Sequence, residues 1–86
     1  MGALKEIRHA DNPSLGLLHE LVRGTMKSRK FIDALEVCGI KVTGRHRKGP
    51  FVTLTNPENG KATLFDNRRN EMGRTEMHEV IAALRD

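Results

Sequence analysis

The 86 residues carry a formal charge of +4, 37% hydrophobic content, one cysteine, and three phenylalanines with neither tyrosine nor tryptophan. A chain of this length and composition supports one modest core of Leu, Ile, Val, Phe and Met. A single cysteine excludes an internal disulfide, and no apolar run approaches the ~20 residues of a membrane-spanning helix. With no hydrophobic leader pattern at the N-terminus and a pI near 9.7, the expectation is a cytoplasmic protein whose partner is nucleic acid or an acidic protein.

The charge is unevenly placed. Residues 26–86 hold twelve basic and eight acidic side chains, whereas residues 1–25 hold three of each. Residues 1–12 have no strong hydrophobic period, the signature of a mobile terminus. Asn12-Pro13 then resembles an N-cap with proline at the first helical position, and Leu15, Leu18, Leu21 and Val22 share one helical face. A helix over 13–23 is predicted, ending at Gly24.

Ser28 is placed to cap a second helix, whose apolar positions Phe31, Ile32, Ala34, Leu35 and Cys38 recur at helical spacing before Gly39 stops it. From Ile40 the period changes. Ile40 and Val42 lead a first strand towards Gly44, and Phe51 to Thr55 alternate as a second. Asn56-Pro57-Glu58-Asn59-Gly60 is turn chemistry, and Lys61 to Asp66 return as a third strand. Asp66 to Gly73 read as a loop. Met77, Val80, Ile81 and Leu84 then mark a final helix. The expected fold is a small single α+β domain, αβββα over residues 26–86, with an N-terminal extension over 1–25 carrying a short amphipathic helix.

Three basic clusters are the candidate nucleic-acid-binding residues. Arg45, Arg47 and Lys48 fall in the turn between the first two strands, next to Gly49; Lys27, Arg29 and Lys30 open the second helix; Arg68, Arg69 and Arg74 precede or open the last. Lysines and arginines on a hairpin tip and at helix starts can reach phosphates without burying charge. If all three share one side of the sheet, they form a single surface. The alternative is a solvated exterior in which Arg68 and Arg69 pair with Asp66 or Glu71. Phe31, Phe51 and Phe65 read as core, and without Tyr or Trp a stacking platform for single strands is not expected.

No Cys or acidic residue is spaced with His9, His19, His46 or His78 to form a closed metal site, so neither metal nor cofactor is assigned. His46, between two arginines, is the one candidate general acid or base. Hydrolase and nucleotide-loop signatures are absent, and Ser14 and Ser28 have simpler roles near helix starts.

From Met26 onward the chain resembles the HicA family of bacterial mRNA interferase toxins. The resemblance rests on Met26-Lys27-Ser28-Arg29-Lys30-Phe31-Ile32-Asp33-Ala34-Leu35 with Gly39-Ile40, on Lys48-Gly49-Pro50-Phe51-Val52-Thr53-Leu54, on Asn56-Pro57-Glu58-Asn59-Gly60-Lys61, and on Gly73 with Met77 and Ile81. It implies a double-stranded-RNA-binding-domain-like fold and a protein antitoxin as partner. The family's catalytic histidine, in its Gly-Ser-His segment, corresponds here to Phe51, preceded by Pro50. A phenyl ring can neither take nor give a proton.

Three functions follow as expectations. The first is a noncatalytic nucleic-acid-binding module that prefers RNA to DNA. The second is an active endoribonuclease using the displaced His46. The third is an interaction module whose basic surface meets an acidic or antitoxin-like protein. The apolar face of the N-terminal helix must be buried against the domain's own core, in a homodimer or by a partner.

Overall fold

The computed structural model of the chain describes residues 2–44 and 49–85. Its elements are α1 (Ala3–Arg8), α2 (Leu15–Leu21), β1 (Met26–Lys27), α3 (Ser28–Val37), β2 (Lys41–Thr43), β3 (Phe51–Thr55), β4 (Ala62–Asp66), β5 (Glu71–Met72) and α4 (Arg74–Leu84).

Strands β2, β3 and β4 form an antiparallel sheet in that order, with Val42 opposite Leu54 and Val52 opposite Phe65. Side chains alternate across a strand, so Val42, Val52, Leu54 and Phe65 share the inner face while Phe51, Thr53 and Leu64 share the outer. Helix α3 packs on β2 and α4 on β4. Between helices and sheet lie Phe31, Leu35, Leu54, Met77, Ile81 and Leu84, all fully buried. Phe51 is a correction: expected in the core, it is half exposed, because its place in the alternation with Val52 turns it outward.

Gly39 ends α3 as its sequence position predicts. At φ +94° it lets its own N–H bond to the Glu36 carbonyl and that of Ile40 bond to Leu35, each at 3.0 Å. The hairpin turn does more than reverse the chain. The side-chain Nδ2 groups of Asn56 and Asn59 both donate to the Leu84 carbonyl, at 2.7 and 3.1 Å, satisfying the C-terminal end of α4.

The N-terminal part differs from expectation. Residues 3–8 are helical, and Ile7 is fully buried in the same core cluster as Leu15, Leu18 and Val22 of the next segment. Helix α1 packs on α3 and α2, and α2 also packs on α4. Six residues span fewer than two turns, too few for a visible period, yet Ile7 anchors them together with Ala3 and Leu4, which pack against the same core. Helix α2 is capped by Ser14, whose hydroxyl accepts from the Leu17 amide at 3.1 Å, so it starts two residues beyond the expected Pro13. The predicted loop from Asp66 to Gly73 contains β5, which pairs antiparallel with β1 through Met26–Met72 and Lys27–Glu71. No helix of the described residues is long and apolar enough to cross a membrane.

Candidate nucleic-acid interface

The start of α3 is held beside the sheet by the short β1–β5 ladder, and the Ser28 amide extends that link by donating to the Asn70 carbonyl at 3.0 Å. The resulting cleft has a volume of about 500 Å³. Its floor is apolar, made by Ile32 of α3 and by Val42, Val52 and Phe65 of the sheet. Lys27, Arg29 and Arg69 stand at its rim, with Asn67 and Asn70 on the wall formed by the β4–β5 connection and Asp33 as its single acid.

Lys27 also lines a neighbouring groove of about 970 Å³ between α1 and the β1 segment. Lys30 reaches this groove, as do Lys5, Arg8 and Arg23. These last three are all the lysines and arginines of residues 1–25, whereas of that segment's three acids only Glu6 lines the groove. A segment with no net charge thus turns its cations to one side. Across both depressions seven lysines and arginines face Asp33, Glu6 and Glu71. Lys5, Arg8, Arg23, Lys27, Arg29 and Lys30 form no ion pair with any described residue.

The candidate residues before α4 are arranged differently. Arg68 is bound to Asp66 by two side-chain hydrogen bonds, at 3.1 and 3.0 Å. Those bonds hold the Asp66 carboxyl below its ordinary range and raise the Arg68 guanidinium above its own. Arg69 is ion-paired with Glu76, although it still reaches the cleft rim. Arg74 lines neither depression and lies close enough to His19 to disfavour protonation there. The structure therefore brings together Lys27, Arg29, Lys30 and Arg69, and leaves Arg68 and Arg74 apart from them. Arg45, His46, Arg47 and Lys48 lie outside the described residues.

Ser28 was expected to cap α3 and does not. It is the first helical residue, Lys27 occupies the cap position without a side-chain hydrogen bond, and the buried Ser28 hydroxyl has no hydrogen-bond partner among the described residues. Sequence offered no sign of this beyond a serine at a helix start. Lys5, Arg8 and Arg23 were missed because a sum over residues 1–25 cancels them.

The remaining chemistry is quiet. His19 and His78 stack with ring centroids 3.8 Å apart, and His78 Nε2 lies 3.0 Å from the His19 carbonyl oxygen, which it bonds when that nitrogen carries the proton. Burial first, then His78, Arg85 and Arg74, lower the His19 pKa. The Cys38 thiol donates to the Ser14 carbonyl at 3.4 Å and is pushed up to about 11 by burial, which keeps it protonated. Among the described residues no three His, Cys, Asp or Glu side chains gather as a metal site. Compared with known protein families, with curated proteins and with solved structures, the chain matches none.

Proposed function

We propose that this chain is a nucleic-acid-binding module, selective for RNA over DNA and without catalysis, built on a HicA-like, double-stranded-RNA-binding-domain-like αβββα unit. The order α3-β2-β3-β4-β5-α4, in which the two-residue β5 pairs with β1 outside the three-stranded sheet, supports the fold. The observation that carries the function is the basic band through Lys27, common to two adjoining depressions and bordered by cations of which all but Arg69 form no ion pair with described residues. Such cations are available to phosphates at little cost in lost internal pairing. Catalysis is left out because Phe51 stands at the family's histidine position, and His19 and His78 are engaged with each other.

The test is a salt titration of the protein with duplex RNA, single-stranded RNA and duplex DNA, followed by a denaturing gel. Salt-dependent binding with intact RNA is expected. Replacing Lys27, Arg29 and Lys30 together by alanine should weaken RNA binding tenfold or more and flatten the log–log salt slope by about 2 to 3. An unchanged slope would remove the proposed band, and RNA fragments lost on His46→Ala would replace the binding module by a nuclease.

A further inference from the structure

Resting on the RNA reading above, we propose that the cleft at the start of α3 takes one unstacked ribonucleotide, its phosphate at Ser28 and its base over the apolar floor. Three observations converge there. Ser28 is only 5% exposed, lines the cleft, and has a hydroxyl with no hydrogen-bond partner among the described residues. A buried hydroxyl left unpaired is unfavourable, and a phosphate oxygen would satisfy it. Helix α3 is ten residues long and has no side-chain cap, so the first-turn amides of Arg29 and Lys30 have no side-chain acceptor. A helix start with open amides favours an anion, and Lys27 and Arg29 at the rim add formal charge.

The rest of the cleft suits the remainder of a nucleotide. Ile32, Val42, Val52 and Phe65 provide a floor for an aromatic base. Asn67 and Asn70 stand on one wall, able both to donate to and to accept from its edge. Asp33 lies about 7.5 Å further along the helix axis than Ser28. Its carboxylate opposes a phosphate and therefore fits the base end, where an exocyclic amine can donate to it. A volume of about 500 Å³ accommodates one nucleotide and excludes a stacked duplex. Occupancy consequently requires a loop, bulge or strand end, where bases are already free of the stack.

The test is amide NMR of the full chain titrated separately with 5′-CMP, inorganic phosphate and cytidine, beside RNA binding by the same preparation. Saturable shifts at Ser28, Arg29, Lys30 and Asn70 are expected with 5′-CMP, at least tenfold tighter than with phosphate or cytidine alone. Ser28→Ala should lose fivefold or more of the CMP affinity while keeping a folded spectrum. Phosphate binding as tightly as CMP would reduce the cleft to an anion site and overturn the nucleotide proposal. CMP shifts absent from α3, in a protein that still binds RNA with a steep salt slope, would overturn this inference and leave the RNA reading standing. CMP bound in the cleft of a protein that ignores RNA would support the nucleotide site and overturn the RNA reading.

Discussion

Helices α3 and α4 both have basic residues at or near their starts, Lys27, Arg29 and Lys30 at one and Arg68, Arg69 and Arg74 at the other. In the fold they are opposites. At α3, the cap position has no side-chain hydrogen bond, and among the described residues Lys27 and Arg29 form no ion pair and the buried Ser28 hydroxyl has no partner. At α4, the Glu76 carboxylate accepts from the Gly73 amide at 3.3 Å and pairs with Arg69, while Arg68 is bound to Asp66. One acid in the first turn decides the difference, because it serves as cap, dipole partner and counterion at once. Helix α3 has no acid in its first turn. A helix start that satisfies itself contributes stability, whereas one that does not is left to attract an anion.

Removing the acid from α4 is the most direct way to break this contrast. Glu76→Gln keeps an oxygen for the Gly73 amide but discharges the partner of Arg69. The expected outcome is a stability loss of up to about 1 kcal/mol, read by urea unfolding, from the lost helix-dipole and ion-pair contributions. RNA binding should tighten a few-fold, with the salt slope steeper by about 1, because Arg69 already lines the cleft and is released. Lower stability with weaker binding would mean that Glu76 positions Arg69 for RNA instead of withholding it.

A second handle separates α4 from α3 by acid. The stacked imidazoles join α2 to α4, and His19 has its pKa lowered by burial, by His78, by Arg85 and by Arg74, with Glu20 opposing. The unfolded chain therefore binds a proton at this site more readily than the folded one, so stability rises with pH. Its contribution is complete above the ordinary histidine pKa and declines as pH falls through about 6.5 and below. Thermal unfolding between pH 7.5 and pH 5 should show the midpoint falling on acidification, with a shallower fall for His19→Gln. A profile unaltered by that substitution would locate the acid sensitivity elsewhere.

What could be read in the sequence followed how much chain each signal occupied. Helix α3, the strands β3 and β4, and α4 extend over enough residues for their periods to show, and Gly39 marks its stop by needing positive φ. Helix α1 and the β1–β5 ladder were invisible because six residues and two pairs of two hold no period. The ladder is nevertheless what closes the cleft wall. The candidate site was half legible: Lys27, Arg29, Lys30 and Arg69 were chosen for charge and do converge. Arg68 carries the same charge but pairs with Asp66, the alternative that the sequence also offers for it. Lys5 and Arg8 are separated in sequence from the other cations, and the packing of α1 on α3 brings them to the groove that Arg23, just before β1, also lines.

The smallest expected effect sharpens the comparison most economically. Arg68 side-chain atoms are 72% exposed, so its pair with Asp66 is heavily screened. Arg68→Ala should leave the urea unfolding midpoint close to that of the unaltered chain. It should also change RNA affinity less than Lys27→Ala does, although each removes one positive charge from the same chain. Loss of Arg68 should let the Asp66 carboxyl rise towards its ordinary range, visible in an NMR pH titration, since the Arg68 hydrogen bonds are the main cause of its depression. The Arg68 amide still donates to Asp66 Oδ1 at 2.9 Å, so part of the depression should persist. If Arg68→Ala nevertheless weakened RNA binding as much as Lys27→Ala, the internal pair would have to be exchanged for phosphate at no net cost. Pairing within the protein would then not be what distinguishes the two helix starts, and their difference would rest on the cleft alone.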